Sequence, residues 1–243
     1  MVERMIRGMA GGAVAAAVLI AACSGQVNGP SVVDQSNQAD GNGVAAKTLA
    51  DTPHPAPTGT VIAFGDAIGT PYWPAGSTST GGNGQPVDGY ICHPPPMDQP
   101  YHIHIHLDIY DENGNQLQLP WGIGVVTPWK FDALHNAILS ATCFYDLHTH
   151  DLDGVIHYES AQPEGALNLG YFFDVWGEPL STVDVAGLGG TVWVMYGTKA
   201  PAQMTWSDTV DPRTIPLVEH EFIYLAINNP PDPKTLPIYH WSY

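Results

Sequence analysis

An alternation of histidine and aliphatic residues over positions 101–109 most constrains what this chain can fold into. Successive side chains of a β-strand point to opposite faces, so His102, His104, His106 and Asp108 would share one face of a strand. The isoleucines and the leucine between them would share the other face. This pattern predicts a strand with one apolar face for a core and one face whose imidazoles can bind a metal ion.

A second histidine-rich segment covers positions 148–157. His148 and His150 have the same parity, and the pair Asp153-Gly154 predicts a tight turn that would fold His157 back beside them. If the two segments pair as strands, their imidazoles converge. The candidate metal ligands are therefore the histidines of both segments: His102, His104, His106, His148, His150 and His157.

Alternate residues of one strand are about 6.6–7 Å apart, which lets two neighbouring imidazoles reach one ion but hardly three. We therefore expect a subset of the first three histidines to join His148, His150 or both. Nitrogen ligands without thiolates favour copper or zinc, with iron as an alternative. Asp151 and Glu159 are nearby carboxylates, each of which is a candidate ligand, a candidate hydrogen-bond acceptor that orients an imidazole, or a general base.

The beginning of the chain has the pattern of a targeting segment. Arg4 and Arg7 precede an apolar run over positions 13–20, and small residues stand directly before Cys23. This arrangement resembles a bacterial lipoprotein signal peptide, whose apolar core is too short to span a bilayer. The resemblance implies cleavage before Cys23, a lipid on that cysteine, and a place in the cell envelope, on the periplasmic face of the outer membrane or on the cell surface.

The composition predicts five consecutive regions. Residues 1–22 form the signal peptide, and the polar, Gly- and Pro-rich residues 23–58 form a flexible tether. Residues 59–86 contain a strand and a Gly/Ser-rich loop, residues 87–229 form the β-rich body with the histidines, and residues 230–243 form an irregular Pro-rich tail. The tether would connect a membrane, contacted through the lipid, to the body.

The charge balance excludes one class of partner. The chain has 7 basic and 24 acidic residues, with a formal net charge of −17. Phosphate binding needs a basic surface, so nucleic acid is not expected as a partner, whereas cations are. No feature of the sequence identifies a protein partner.

Three cysteines are present. With Cys23 assigned to the lipid, Cys92 and Cys143 remain in a compartment where disulfides persist, and we predict that they pair. Two metal thiolates are the alternative.

The periodicity predicts a mainly β fold, with α+β as the alternative: one compact antiparallel β-rich domain with one short helix. The helix is expected at residues 168–176, because Leu169, Phe172, Phe173 and Trp176 repeat at helical spacing before Gly177. Residues 130–140 are expected to form a loop or one helical turn. The predicted strands cover residues 60–64, 101–111, 116–126, 142–150, 155–159, 191–196 and 221–227.

Several motifs between positions 89 and 227 follow one another in a distinct order. Cys92 precedes the alternating histidines, and Cys-x-x-x-Leu-His-Thr-His-Asp begins at Cys143 and is followed by Gly-x-x-His-x-Glu-Ser from Gly154. This order resembles a family of secreted or membrane-anchored bacterial proteins, and the resemblance carries no activity with it. It implies which positions to test: Cys92, His102, His104 or His106, Cys143, His148, His150, Asp151, His157 and Glu159.

Three functions are compatible with these features. The first is a lipid-anchored metal-binding protein for storage, delivery or sensing of copper or zinc. The second is a metal-dependent hydrolase or oxidoreductase that uses the same histidines. Catalysis here would have to depend on a metal ion, because no motif for a covalent nucleophile occurs. The third is a structural surface domain whose histidines belong to the core.

Overall fold

The computed structural model of the protein describes residues 60–242. The predicted signal peptide, the Cys23 lipidation site and the tether lie outside the described residues. The described chain is mainly β with one α-helix, as predicted. The strands are β1 (Thr60–Ile62), β2 (Tyr101–Tyr110), β3 (Gln116–Leu117), β4 (Val125–Val126), β5 (Lys130–Asp132), β6 (Ala137–Ser140), β7 (Cys143–Phe144), β8 (Leu147–His148), β9 (Val155–Ser160), β10 (Leu180–Ser181), β11 (Asp184–Val185), β12 (Leu188–Gly189), β13 (Val192–Gly197), β14 (Phe222–Ile227) and β15 (Tyr239–Trp241). The α-helix is α1 (Leu169–Trp176), and short 3-10 helices span Pro201–Gln203, Pro212–Thr214 and Pro233–Thr235.

The largest sheet has the strand order β13-β14-β2-β9-β8, and β3 pairs with the end of β2. β2 is antiparallel to β9 but parallel to β14. The other pairs of this sheet are antiparallel, as predicted, so the β2-β14 pair is its one parallel neighbour among the described strands. Parallel neighbours need a crossover connection, and the long stretch of chain between β2 and β14 provides one.

The apolar face predicted for β2 lies in the main core. Ile103, Ile105, Leu107 and Ile109 are at most 8% exposed and pack in the same cluster as the helix. Burial of each such side chain stabilises the fold by about 1.5–3 kcal/mol. The packing fixes which face of β2 points inward, and so it directs the histidines to the other face.

Helix α1 forms where the spacing predicts it. The Asn168 side chain accepts a hydrogen bond from the Tyr171 N–H at the start of the helix, and Gly177 ends it with a positive φ of 80°. An Asn cap satisfies an N–H that has no partner within the helix, and glycine adopts the left-handed conformation without strain. Among the described residues, no helix has the length and apolar character needed to cross a membrane.

The segments before and after the predicted body are part of the same fold. β1 pairs in parallel with β15, and Ile62 and Tyr239 are buried in a second core cluster with residues of β14. The prediction of an irregular tail is thus wrong for Tyr239–Trp241. The second core lies on the other face of the sheet and gives the tail an apolar surface to pack against. The prolines of the tail exclude longer regular structure.

The chain between β2 and β9 is more divided than predicted. Residues 116–126 form two short strands, because Pro120 has no N–H and Gly122 has a positive φ. Residues 142–150 also form two strands, because β7 pairs with β4 whereas β8 pairs with β9. Residues 130–140 form the hairpin β5-β6 instead of a loop or helical turn, with a β-bulge beside Lys130.

The predicted disulfide joins Cys92 to Cys143, with the Cα atoms 5.5 Å apart. Beside it, the N–H of His93 donates to the Phe144 carbonyl and the N–H of Phe144 donates to the His93 carbonyl, each at 2.8 Å. The loop that follows His93 is therefore held against β7, and β8 with its histidine comes directly after.

Candidate metal centre

Three adjacent strands bring histidines from both sequence segments into one row. His148 on β8 lies opposite His157 on β9, and His157 lies opposite His104 on β2. One step along the same face, His102 lies opposite Glu159. The ring centroid of His157 is 4.8 Å from that of His104 and 5.7 Å from that of His148. The convergence predicted from strand parity and from the turn before His157 is present.

The first group of potential ligands consists of His148, His150 and Glu159, whose ligand atoms lie within 4.8 Å of one another. The Nδ1 of His148 is 2.8 Å from the Tyr145 carbonyl oxygen, and the Nδ1 of His150 is 2.5 Å from that of Ile138. A carbonyl oxygen only accepts, so both rings donate from Nδ1. In the neutral rings, both Nε2 atoms then carry lone pairs.

Those two Nε2 atoms are 3.1 Å apart. Two lone pairs at this distance repel each other unless a proton or a cation lies between them. Two nitrogen ligands that each lie about 2.0–2.1 Å from one metal ion are separated from each other by a distance similar to this 3.1 Å. The carbonyls of Tyr145 and Ile138 therefore orient two imidazoles as a pair of metal ligands would be oriented.

The second group consists of His102, His104 and His157, again with ligand atoms within 4.8 Å of one another. His102 is exposed, His104 is half-buried and His157 is buried. The Glu159 Oε1 atom is 3.3 Å from the His102 Nε2 and 3.8 Å from the His148 Nε2. Of the roles predicted for Glu159, that of a ligand fits this position, because the carboxylate lies between the two groups.

Burial keeps the less exposed imidazoles of the centre neutral: His104, His148, His150 and His157. Burial, with a smaller contribution from the nearby His102, lowers the pKa of His104 to about 4. Burial also lowers the pKa of His148 well below its ordinary value, with a smaller contribution from His150, and has the same effect on His157. Neutral imidazole is the form that binds metal, so the rings need lose no proton near pH 7.

His106 lies outside both groups, although it shares their strand face. Its ring packs 4.4 Å from that of Tyr239 on β15, and its Nε2 is 3.0 Å from the carbonyl oxygen of Asp153. Three alternate residues extend too far along a strand to surround one ion, and β15 covers the end where His106 lies. His106 is a buried structural residue.

Asp151 also lies outside both groups. Its carboxylate accepts hydrogen bonds from the N–H of Gly65 at 2.5 Å and from the N–H of Asp153 at 3.3 Å. These bonds hold the turn before β9 and attach the segment after β1 to it. Neither bond involves an imidazole of the centre, and the roles predicted for Asp151 stay predictions.

An open cavity of about 440 Å³ lies beside the first group. Its wall combines the potential ligands with apolar side chains from the loop after the disulfide and from β6 and β7: Pro95, Pro96, Met97, Leu139, Phe144, His148, His150 and Glu159. Sequence reasoning missed the apolar wall, because its members come from separate segments with no common spacing. The cavity gives an ion or a small molecule a route to the histidines.

Comparisons of the chain with protein-family models, with curated proteins and with solved structures find no significant match. The resemblance to secreted bacterial proteins therefore stays a prediction. The function has to be argued from the chemistry of the two groups, since a fold alone does not determine a function.

Proposed function

We propose that this protein binds copper or zinc at His148, His150 and Glu159. The proposal rests mainly on the Nε2 atoms of His148 and His150, which are 3.1 Å apart. The Nδ1 atom of each ring donates a hydrogen bond to a backbone carbonyl oxygen. A proton between the two rings is the alternative. Burial lowers the pKa of both rings and so opposes an imidazolium, which favours a metal ion.

The donor types support copper or zinc. Cys92 and Cys143 form a disulfide, so the donors near the centre are imidazole nitrogens and one carboxylate. Two histidines and one carboxylate alone would also suit non-haem iron. The additional imidazoles of the second group raise the nitrogen content of the centre, which favours copper or zinc over iron.

The proposed setting is the cell envelope, with the protein anchored by a lipid on Cys23. The signal-peptide pattern supports this, and so does the disulfide, which persists in oxidising compartments. The net charge of −17 attracts cations to the surface. A tethered, acidic domain with a histidine centre suits storage, delivery or sensing of a metal ion.

The cavity of about 440 Å³ favours a second candidate function, that of a metal-dependent hydrolase or oxidoreductase. Three protein ligands leave an open position on a catalytic zinc ion, and the cavity would bring water or substrate to it. Turnover of a substrate that requires the same histidines would select this candidate over storage.

Elemental analysis of the full chain, purified without a histidine tag, tests the proposal. Near-stoichiometric copper or zinc is expected, and a His148→Ala/His150→Ala variant is expected to lose the ion of this group, with affinity reduced more than about a hundredfold. A His135→Ala/His240→Ala variant is the matched control, because both histidines lie outside the two groups. Circular dichroism checks that each variant is folded. A wild-type protein that neither contains metal nor binds copper or zinc at micromolar concentration would overturn the proposal.

A further inference from the structure

We infer that the centre holds two metal ions, with Glu159 as the carboxylate between them. This inference rests on the proposed function and extends it from one ion to a dinuclear centre. One ion would be bound by His148 and His150, and the other by His102, His104 and His157.

The number of donors exceeds what one ion of this type uses. Five imidazoles and one carboxylate form two separate groups, each with ligand atoms within 4.8 Å. A structural zinc ion takes four ligands in tetrahedral geometry. All members of the two groups except His150, which follows β8, lie on the same face of three adjacent strands, so the sheet holds the groups side by side.

Glu159 connects the groups. Two ligands that share one ion at about 2.0–2.2 Å are themselves separated by about 3–3.6 Å. The Glu159 Oε1 atom is 3.3 Å from the Nε2 of His102, which is in that range, and 3.8 Å from the Nε2 of His148, which is close to it. The same oxygen thus faces both groups, and because a carboxylate oxygen has two lone pairs, it can bind one ion on each side. Two-metal sites commonly have ions about 3.5–4 Å apart, a separation that a carboxylate can bridge.

The cavity and the ring contacts support the same arrangement. The rings of His148 and His157, which belong to different groups, stack with centroids 5.7 Å apart. Two divalent ions would meet one negative side chain in the two groups, so a further anion would lower the net positive charge of the centre. The open cavity beside His148 and Glu159 lets solvent supply a bridging hydroxide.

The test begins with the wild-type full chain, stripped of metal and then titrated separately with zinc and with copper(II). We expect two ions per chain by calorimetry and elemental analysis. Electron paramagnetic resonance of the copper(II) form should show a half-field transition and less signal than its copper content, because two nearby copper ions couple magnetically. This readout needs no variant, so it stands even if a substitution impairs folding.

Two paired variants then separate the groups. His102→Ala/His104→Ala and His148→Ala/His150→Ala should each keep one ion and show a copper signal of full, uncoupled intensity. Glu159→Gln should bind the second ion at least tenfold more weakly and lose the half-field transition. Glu164→Gln is its control, an exposed residue outside both groups.

The outcomes distinguish the two proposals. A single ion in the wild type that is lost in both paired variants would overturn the dinuclear centre but leave the proposed function standing. Two coupled ions that are unaffected by Glu159→Gln would overturn the bridging role of Glu159. No bound ion at all would overturn the proposed function itself.

Discussion

Replacement of Cys92 and Cys143 by alanine is expected to lower the free energy of unfolding by about 4 kcal/mol. The disulfide connects residues separated by 51 positions, so it restricts a long loop in the unfolded chain. In the chain-entropy description, this restriction is the main source of stabilisation. Urea unfolding of the wild type and the double variant measures the difference as a shift of the midpoint.

A reducing agent provides the control for this prediction. It should bring the wild type to the stability of the variant and leave the variant unchanged. The backbone hydrogen bonds between His93 and Phe144 do not depend on the sulfur atoms, so the loop should stay in place in the folded variant. A loss of less than about 1 kcal/mol would mean that the unfolded chain is already restricted without the bridge.

Local patterns were sufficient to predict the elements that carry most of the centre. The period of two in β2 assigned its isoleucines to the core, and the helical spacing of Phe172 and Trp176 located α1, because each pattern lies within one element. The Asp153-Gly154 turn placed His157 beside His148 for the same reason. These features depend on neighbours along the chain, which sequence shows directly.

The division of the histidines could not be predicted, because it depends on segments distant in sequence. His104 and His106 have equal parity on β2, but Tyr239 on β15 covers only His106. Nothing near His106 in the sequence indicates that the Pro-rich tail would return to that position. Likewise, the position of Glu159 between the two groups follows from its pairing opposite His102, which the strand register determines.

Asp108 is the source of the second large effect that we predict. It follows the histidines on β2, and its carboxyl group is 1% exposed and accepts a hydrogen bond from the Gln116 side chain at 2.5 Å. Burial raises the pKa of Asp108 to about 8, although the bond from Gln116 opposes the shift. The folded protein therefore keeps this carboxyl group protonated near pH 7, whereas the unfolded chain ionises it near pH 4.

The direction of the pH dependence follows from the protons bound in each state. Between about pH 4 and pH 8, the folded state holds a proton on Asp108 that the unfolded state has released. The stabilisation from Asp108 is thus fully present below about pH 4 and is lost as the pH rises through 8. The loss has a slope of about 1.4 kcal/mol per pH unit and amounts to about 5 kcal/mol over the range.

Asp108→Asn should remove this slope, because an amide has nearly the shape of the protonated carboxyl group and does not ionise. The variant is expected to be more stable than the wild type at pH 8, by up to about 5 kcal/mol. Urea unfolding between pH 6.5 and pH 8, with a chelator present, measures the effect, since the histidines with lowered pKa values change stability mainly below pH 6.5. Asp208→Asn, at an exposed position, should leave the slope of the wild type unchanged. Equal slopes in the wild type and Asp108→Asn would show that Asp108 is ionised in the folded protein, with its charge stabilised by the neighbouring hydrogen-bond donors.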